Sequence, residues 1–175
     1  MSANPMLGRP ERAETAPYYH GYIDRIASDD VLQALETQIG EATSFLESIT
    51  EPQSRHRYAP DKWSIRQVLN HVNDAERVFA FRAFWFARGF DTALASFDEN
   101  PSAAAARADQ FSWASHVEEF RAIRQGTLAF FRNLPAEAWT RKGTASGNPF
   151  TVKALAYIVA GHTAHHSAVL RERYL

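Results

Sequence analysis

The sequence predicts an all-α fold, a four-helix bundle, and three observations carry that expectation. Four segments of about twenty residues each repeat apolar side chains at a helical period. Proline, glycine and polar clusters separate them. No apolar–polar alternation of period two persists along the chain, and no internal repeat is evident. Long helices with one apolar stripe each must bury those stripes against one another, and a bundle is the arrangement that does so.

The first helix is expected from Asp29 to Ile49, where Val31, Leu35, Ile39, Ala42, Phe45, Leu46 and Ile49 recur near a helical period. Asp29 or Asp30 supplies its N-cap and Glu51-Pro52 ends it. The second begins at Ser64, where Ser-Ile-Arg-Gln reads as a capping box closing on Gln67, and runs to about Arg88 before Gly89. The third spans Ser112 to Asn133, ahead of Leu134-Pro135, and the fourth starts at the N-cap Thr151 and continues to the C-terminus. The Asp91 to Gln110 connection is long and contains an alanine run that reads as a short helix or a mobile stretch, and its length points away from a simple up-and-down topology. The Arg141 to Pro149 connection is rich in turn formers. A single domain is expected over residues 1–175, with residues 1–28 as an N-terminal extension packed on the bundle.

Composition narrows the function. The 175 residues are 45% hydrophobic and 13% aromatic, a composition that buries a core rather than staying disordered. The 19 Lys+Arg and 20 Asp+Glu nearly cancel and are mixed along the chain, leaving no footprint for nucleic acid or an anionic membrane. There is no cysteine, so disulfides, thiolate metal sites and a cysteine nucleophile are excluded, and histidine and carboxylate remain as metal ligands. The polar N-terminus reads as neither signal peptide nor anchor, and Val78 to Ala87, interrupted by Arg82, is too short to span a bilayer. A cytoplasmic protein is the expectation.

The histidines carry the chemistry. On the fourth helix, steps of about 100° place Leu155, Ile158, Val159, Val169 and Leu170 on one face, with His162 and His166 at its centre. Residues four apart stand one above the other on successive turns, so the pair can present two imidazole nitrogens to one ion. His165 lies nearer the edge of that face, and His166 is preferred to it as a ligand; His165 is left to pack at a helix contact, to support the site or to supply a proton. A third ligand is offered by His71 on the second helix, which shares a side with Val68, Ala75 and Val78. His20, His56 and His116 read as ordinary surface or interface histidines. The residue after His162 is Thr163, where a metalloprotease helix carries glutamate, so peptide hydrolysis of that type is not expected.

Lys-Trp-Ser-Ile-Arg-Gln-Val-Leu-Asn-His-Val-Asn-Asp-Ala-Glu-Arg at 62–77 and Gly-His-Thr-Ala-His-His at 161–166 resemble the DinB/YfiT-like superfamily of small metal-binding helical bundles. Weaker agreement comes from Glu-Phe-Arg-Ala-Ile-Arg at 119–124, Trp139-Thr-Arg, and Tyr18-Tyr-His-Gly-Tyr. The resemblance implies a four-helix bundle whose metal is held by one histidine of helix two and an H-x-x-x-H pair of helix four, here His71, His162 and His166. It also implies relatives that include metal-dependent thiol S-transferases using bacillithiol, mycothiol or glutathione, and a mycothiol-dependent isomerase. Fold and metal site carry over better than substrate does.

Two charges fall inside apolar stripes: Glu76 alongside Val72, Phe79 and Ala83, and Arg124 among Trp113, Val117, Phe120 and Phe131. Buried charges persist chiefly when paired, so the two are expected to meet each other, or to find Arg82 or Glu119. A structural ion pair is the expected role, and the functional version has Arg124 or Arg82 orient an anionic substrate.

Three functions remain open. The first is a metalloenzyme on a small-molecule substrate, with zinc or nickel activating a low-molecular-weight thiol cosubstrate or water. The second is a metal- or ligand-binding module without turnover, and the third a plain bundle with histidines in its core. Trp85, Phe86 and Phe90 are expected as exposed aromatics that could serve a homodimer.

Overall fold

The computed structural model describes residues 8–175, so the first seven residues of the 1–28 extension lie outside the described residues. Six helices, α1 (His20–Ile23), α2 (Val31–Glu47), α3 (Ile65–Ala87), α4 (Glu99–Ala106), α5 (Trp113–Arg132) and α6 (Val152–Arg173), are joined by one hairpin, β1 (Lys142–Ala145) and β2 (Asn148–Thr151). The four long helices form the expected four-helix bundle.

Local chemistry explains where they start. The Asp30 carboxylate accepts from the Gln33 amide at α2, and the Ser112 and Thr151 hydroxyls accept from Ser115 and Ala154 at α5 and α6. At α3 the capping box is complete, with Ser64 accepting from the Gln67 amide while the Gln67 side chain accepts from the Ser64 amide.

Packing runs around the bundle in the order α2, α5, α3, α6, so α2 lies diagonally across from α3, and α5 from α6. The topology is therefore not up-and-down. Its crossings fall on the connections after α2 and α5, not on the long Asp91–Gln110 segment to which sequence length assigned them. That segment joins neighbouring helices; it includes α4 and contributes Phe97 and Glu99 to the mouth of a pocket.

The hairpin corrects the expectation of a structureless turn region. Lys142 pairs with Thr151 and Ala145 with Asn148 across a two-residue loop, Ser146-Gly147, whose φ values of 52° and 71° match a type I′ turn. Strands of four residues that contain Gly143 and Pro149 are too short and too irregular to show alternation.

The apolar interior has two parts. One gathers Phe79, Phe86, Phe131, Trp139, Phe150, Leu155 and Ile158; the other gathers Leu46, Ile65, Leu69, Trp113, Phe120 and Leu170. Between them, along α3, α5 and α6, lie the buried polar side chains Glu76, Arg124, His162 and Thr163, with His71 beside them. Phe86, expected at the surface, is buried in the first part; Trp85 is half-buried, and the exposed aromatics on and just after α3 are Phe81, Phe84 and Phe90. Among the described residues no helix is long and apolar enough to cross a membrane.

Candidate metal centre

α3 and α6 pack side by side, and this contact delivers the site. His71 Nε2 lies 3.1 Å from His162 Nε2, and His166 Nε2 lies 3.2 Å from the same atom. Ligand atoms of all three histidines lie within 4.8 Å of one another. His162 and His166 reach this point from successive turns of one helix face, and His71 reaches it from the facing helix, as the i, i+4 spacing requires.

Burial keeps these rings neutral. It lowers the pKa of His71 to about 4, against an opposing pull from Asp74, and that of His166 to about 3, with His165 adding to both shifts and His71 to the second. His162 is pushed well below the ordinary value, again by burial first and then by His166 and His71. All three are therefore unprotonated at neutral pH, the form that donates to a metal.

A divalent ion fits this donor set. An imidazole nitrogen carries a single proton or a single lone pair, so His162 Nε2 can hydrogen-bond well to only one of the two nitrogens facing it. The buried Nδ1 atoms of His71 and His166 have no hydrogen-bond partner among the described residues. A cation at the convergence would take all three Nε2 lone pairs at once. Tetrahedral zinc with bonds of about 2.0–2.1 Å sets its donors about 3.3–3.4 Å apart, close to the separations of 3.1 and 3.2 Å here. Ligating imidazoles usually donate their second nitrogen to a carboxylate or carbonyl. Here aromatic packing sets ring orientation instead: Trp63 lies 5.1 Å from the His71 ring, and Tyr22 and Phe79 lie 5.3 and 5.9 Å from the His162 ring.

Tyr22 comes from α1, and its approach depends on Gly161. A Cβ at position 161 would overlap the Tyr22 backbone carbonyl. Only glycine lets α1 lie against α6 one residue before His162.

The triad forms the floor of a pocket of about 160 Å³. Its walls include Tyr18, Tyr19, Tyr22, Trp63, Phe79 and Phe97, with Arg82, Glu99 and Ser146 as the non-aromatic polar residues. Along α3 the pocket follows one stripe, His71, Ala75, Val78, Phe79 and Arg82.

The remaining expected residues fall as follows. His165 is half-buried and stands outside the convergent trio, with its ring 5.4 Å from Tyr22 and 4.9 Å from His166. Glu76 and Arg124 do meet: Arg124 Nε donates to Oε1 and Nη2 to Oε2, both at 2.9 Å. Arg124 also donates to Gln38 Oε1 and Thr163 Oγ1, each at 2.7 Å, so the pair braces α6 directly behind His162. Arg124 does not line the pocket, which removes it as a substrate-orienting group. Arg82 and Glu119 are not its partners: Glu119 accepts from Arg77 and Asn73, and Arg82 donates to Ala95 O and Ser146 Oγ. His116, expected at the surface or at an interface, is buried and its Nε2 lies 2.9 Å from Ala108 O. His56 is exposed, and the Nε2 of half-buried His20 lies 3.0 Å from Arg12 O.

Sequence reasoning singled out neither Tyr19, Tyr22, Trp63, Phe97 nor Ser146 as site residues. Tyr19, Tyr22 and Trp63 stand inside the segments that carried the family resemblance; Phe97 and Ser146 lie in connections with no local signal.

Fold and site together define a four-helix bundle with a convergent histidine triad at the base of a pocket. The family model described as the DinB superfamily matches residues 34–170, a span that holds all three histidines, and the chain belongs to that superfamily. Its fold is similar to that of YfiT from Bacillus subtilis, described as a probable metal-dependent hydrolase with an unusual four-helix bundle topology. The TM-score is 0.73 at 18% identity, over 84% of this chain and 87% of that one. At that identity the likeness speaks for the fold. A search of the curated proteins found no match.

Proposed function

We propose that His71, His162 and His166 hold a divalent metal, zinc or nickel, and that the chain is a metal-dependent enzyme acting on a small molecule in the pocket above them. The observation that carries this is the convergence of three neutral imidazole nitrogens on one point that opens into a pocket. When bound, the ion supplies positive charge that lowers the pKa of a thiol or water and so provides a nucleophile at neutral pH. The three imidazoles hold it without cancelling that charge, and the aromatic walls exclude water and seat an apolar substrate body.

Thiol activation is the preferred chemistry. Among the described residues Glu76 is committed to Arg124, and Glu99, the carboxylate residue lining the pocket, is exposed, so activation of water would rest on the ion alone. A thiol, with an unperturbed pKa of about 8.5, needs far less help. With no cysteine in the chain, the thiol must arrive as a cosubstrate, and reduced thiol pools point to a cytoplasmic setting. The second reading, metal-dependent hydrolysis, draws on the description of the YfiT structure. A homodimer through the exposed Phe81, Phe84 and Phe90 belongs to the same proposal and is checked by sedimentation.

The test begins with metal content of untagged protein. The parent and His165→Ala are expected to bind one equivalent of zinc or nickel, and His71→Ala and His162→Ala to lose it; equal retention by those two variants overturns the site. Metal-loaded protein is then given glutathione, bacillithiol or mycothiol with monochlorobimane, and separately an ester without thiol. Metal-dependent conjugation supports the first reading and thiol-free hydrolysis the second. Bound metal with neither activity favours a binding module without turnover.

A further inference from the structure

Arg82 is a buried cation without an anion. Its side chain sits in the pocket wall with the residue only 3% exposed, yet it takes part in no ion pair among the described residues. Its Nη2 donates to Ala95 O at 3.3 Å and to Ser146 Oγ at 2.8 Å. Neither acceptor is charged. The contrast with the other two buried arginines is direct: Arg124 has Glu76 and Arg66 has Glu51. A buried guanidinium left without a counter-charge costs several kcal/mol in desolvation, so a fold that keeps one at a pocket leaves room for a ligand to complete it.

The surroundings hold the guanidinium in place. Its carbon lies 6.0 Å from the Phe79 ring and 5.9 Å from the Phe150 ring, over two aromatic faces. Ser146, one of its two acceptors, sits at φ 52° in the hairpin turn, a conformation where asparagine, aspartate or glycine is favoured. The Tyr19 phenol also faces Arg82.

Its position relative to the triad sets the kind of ligand. Arg82 follows His71 by eleven residues on α3, which returns it to nearly the same face about 16 Å along the axis. Helical side chains lean toward the N-terminus, so Arg82 leans back toward His71. Phe79 bridges the two ends: its ring is 6.0 Å from the Arg82 carbon and 5.9 Å from the His162 ring, which bounds the separation at about 12 Å.

We propose that Arg82 is the anchor for a carboxylate on the substrate, so that the pocket takes a small monocarboxylate with an apolar or aromatic body, its reacting atom over the histidines and its carboxylate several bonds away. The planar fork of arginine matches a carboxylate through two parallel hydrogen bonds. A dianionic phosphate would meet one arginine, no lysine and the carboxylate of Glu99, a poor charge balance. The proposal rests on the pocket being the substrate site, as in the function proposed above.

Calorimetry on the full chain tests it, with phenylpropanoate and its neutral amide as probes, in metal-free and zinc-loaded protein. The acid is expected to bind at least tenfold tighter than the amide in both forms, and Arg82→Gln to abolish that preference. Arg82→Lys, which keeps the charge, is expected to retain part of it and covers the case in which the glutamine variant fails to fold. A strut between α3 and the hairpin would lose stability in Arg82→Gln without changing the acid-to-amide ratio. Equal binding of acid and amide, no saturable acid binding, or an unchanged preference in Arg82→Gln each overturns the proposal. Acid preference in protein that binds no metal would leave it standing while removing the metal reading; zinc binding without acid preference would do the reverse.

Discussion

Glu76→Gln is expected to be the most costly isosteric change in the bundle. Arg124 is fully buried and Glu76 is 3% exposed, and the carboxylate accepts from two nitrogens of the guanidinium at 2.9 Å. Glutamine keeps the shape but removes the charge, leaving a buried cation with only the neutral oxygens of Gln38, Thr163 and the new amide. Breaking a buried pair by removing one partner costs about 3–5 kcal/mol, and the retained acceptors place this case near the lower end. For a chain of this size each kcal/mol moves Tm by about 2–4 °C, so a loss of about 3 kcal/mol lowers Tm by about 6–12 °C. Urea denaturation of metal-free protein, checked for coincident fluorescence and circular-dichroism transitions, measures the loss directly. The double change Glu76→Leu with Arg124→Met is expected to recover most of it, because an apolar replacement of both partners leaves no uncompensated charge. A loss below about 1 kcal/mol for Glu76→Gln would refute the reasoning, since that is the range of pairs screened by solvent.

Two further changes test how the N-terminal segment is seated. Alanine at position 161 gains about 1 kcal/mol of helix propensity but drives its Cβ into the Tyr22 carbonyl, which cannot rotate away; a net loss of about 1–3 kcal/mol is expected, with altered amide shifts at Tyr22 and His162 by NMR. Burial acts to raise the pKa of Glu14, but hydrogen bonds from Thr151 and the Glu11 amide, together with Lys153, outweigh it and leave the pKa lowered. Its stabilisation is therefore complete above the unfolded value near 4.5 and is lost as pH falls through the lower folded value. Glu14→Gln is expected to flatten the acid limb of a stability–pH curve, and identical limbs would rule the contribution out.

The parts legible in the sequence are those governed by local chemistry. Helix starts followed from Ser64, Thr151 and the Asp29–Asp30 pair, and in the fold Asp30, Ser64, Ser112 and Thr151 cap the first turns of their helices. Helix geometry put His162 and His166 on one face and favoured His166 over His165, and the family resemblance chose the same pair. His71 needed more: its position at the flank of a stripe allowed contact with a neighbour, and only the packing of α3 on α6 made that neighbour α6. What stayed hidden depends on contacts distant in sequence. Phe86 was expected at the surface because a helix with aromatics on several faces does not reveal which face the hairpin will cover. His116 was expected at the surface or at an interface because its partner is a backbone carbonyl of the preceding connection. The role of Gly161 lies in its distance from α1, which periodicity cannot show.

Arg82 in the pocket wall and Arg124 behind the triad divide the electrostatic work. Arg124 lies behind His162, and its charge opposes a second cation there; pairing with Glu76 cancels that effect. Arg82 carries the same charge within about 12 Å of the His162 ring and is left uncancelled. At an effective dielectric near 20, a divalent ion at the triad and a free guanidinium at that range repel by about 3 kcal/mol, less where solvent enters. A carboxylate on Arg82 removes much of this penalty, so metal and acid are expected to favour each other's binding. Coupling of about 1–3 kcal/mol corresponds to about 5–150-fold and is reciprocal. Titration of zinc with and without saturating phenylpropanoate measures it: the acid is expected to tighten zinc binding by at least fivefold in the parent and to have no effect in Arg82→Gln. Independent binding in the parent would mean that solvent screens the two ends of the pocket from each other, and the charge division argued here would fall.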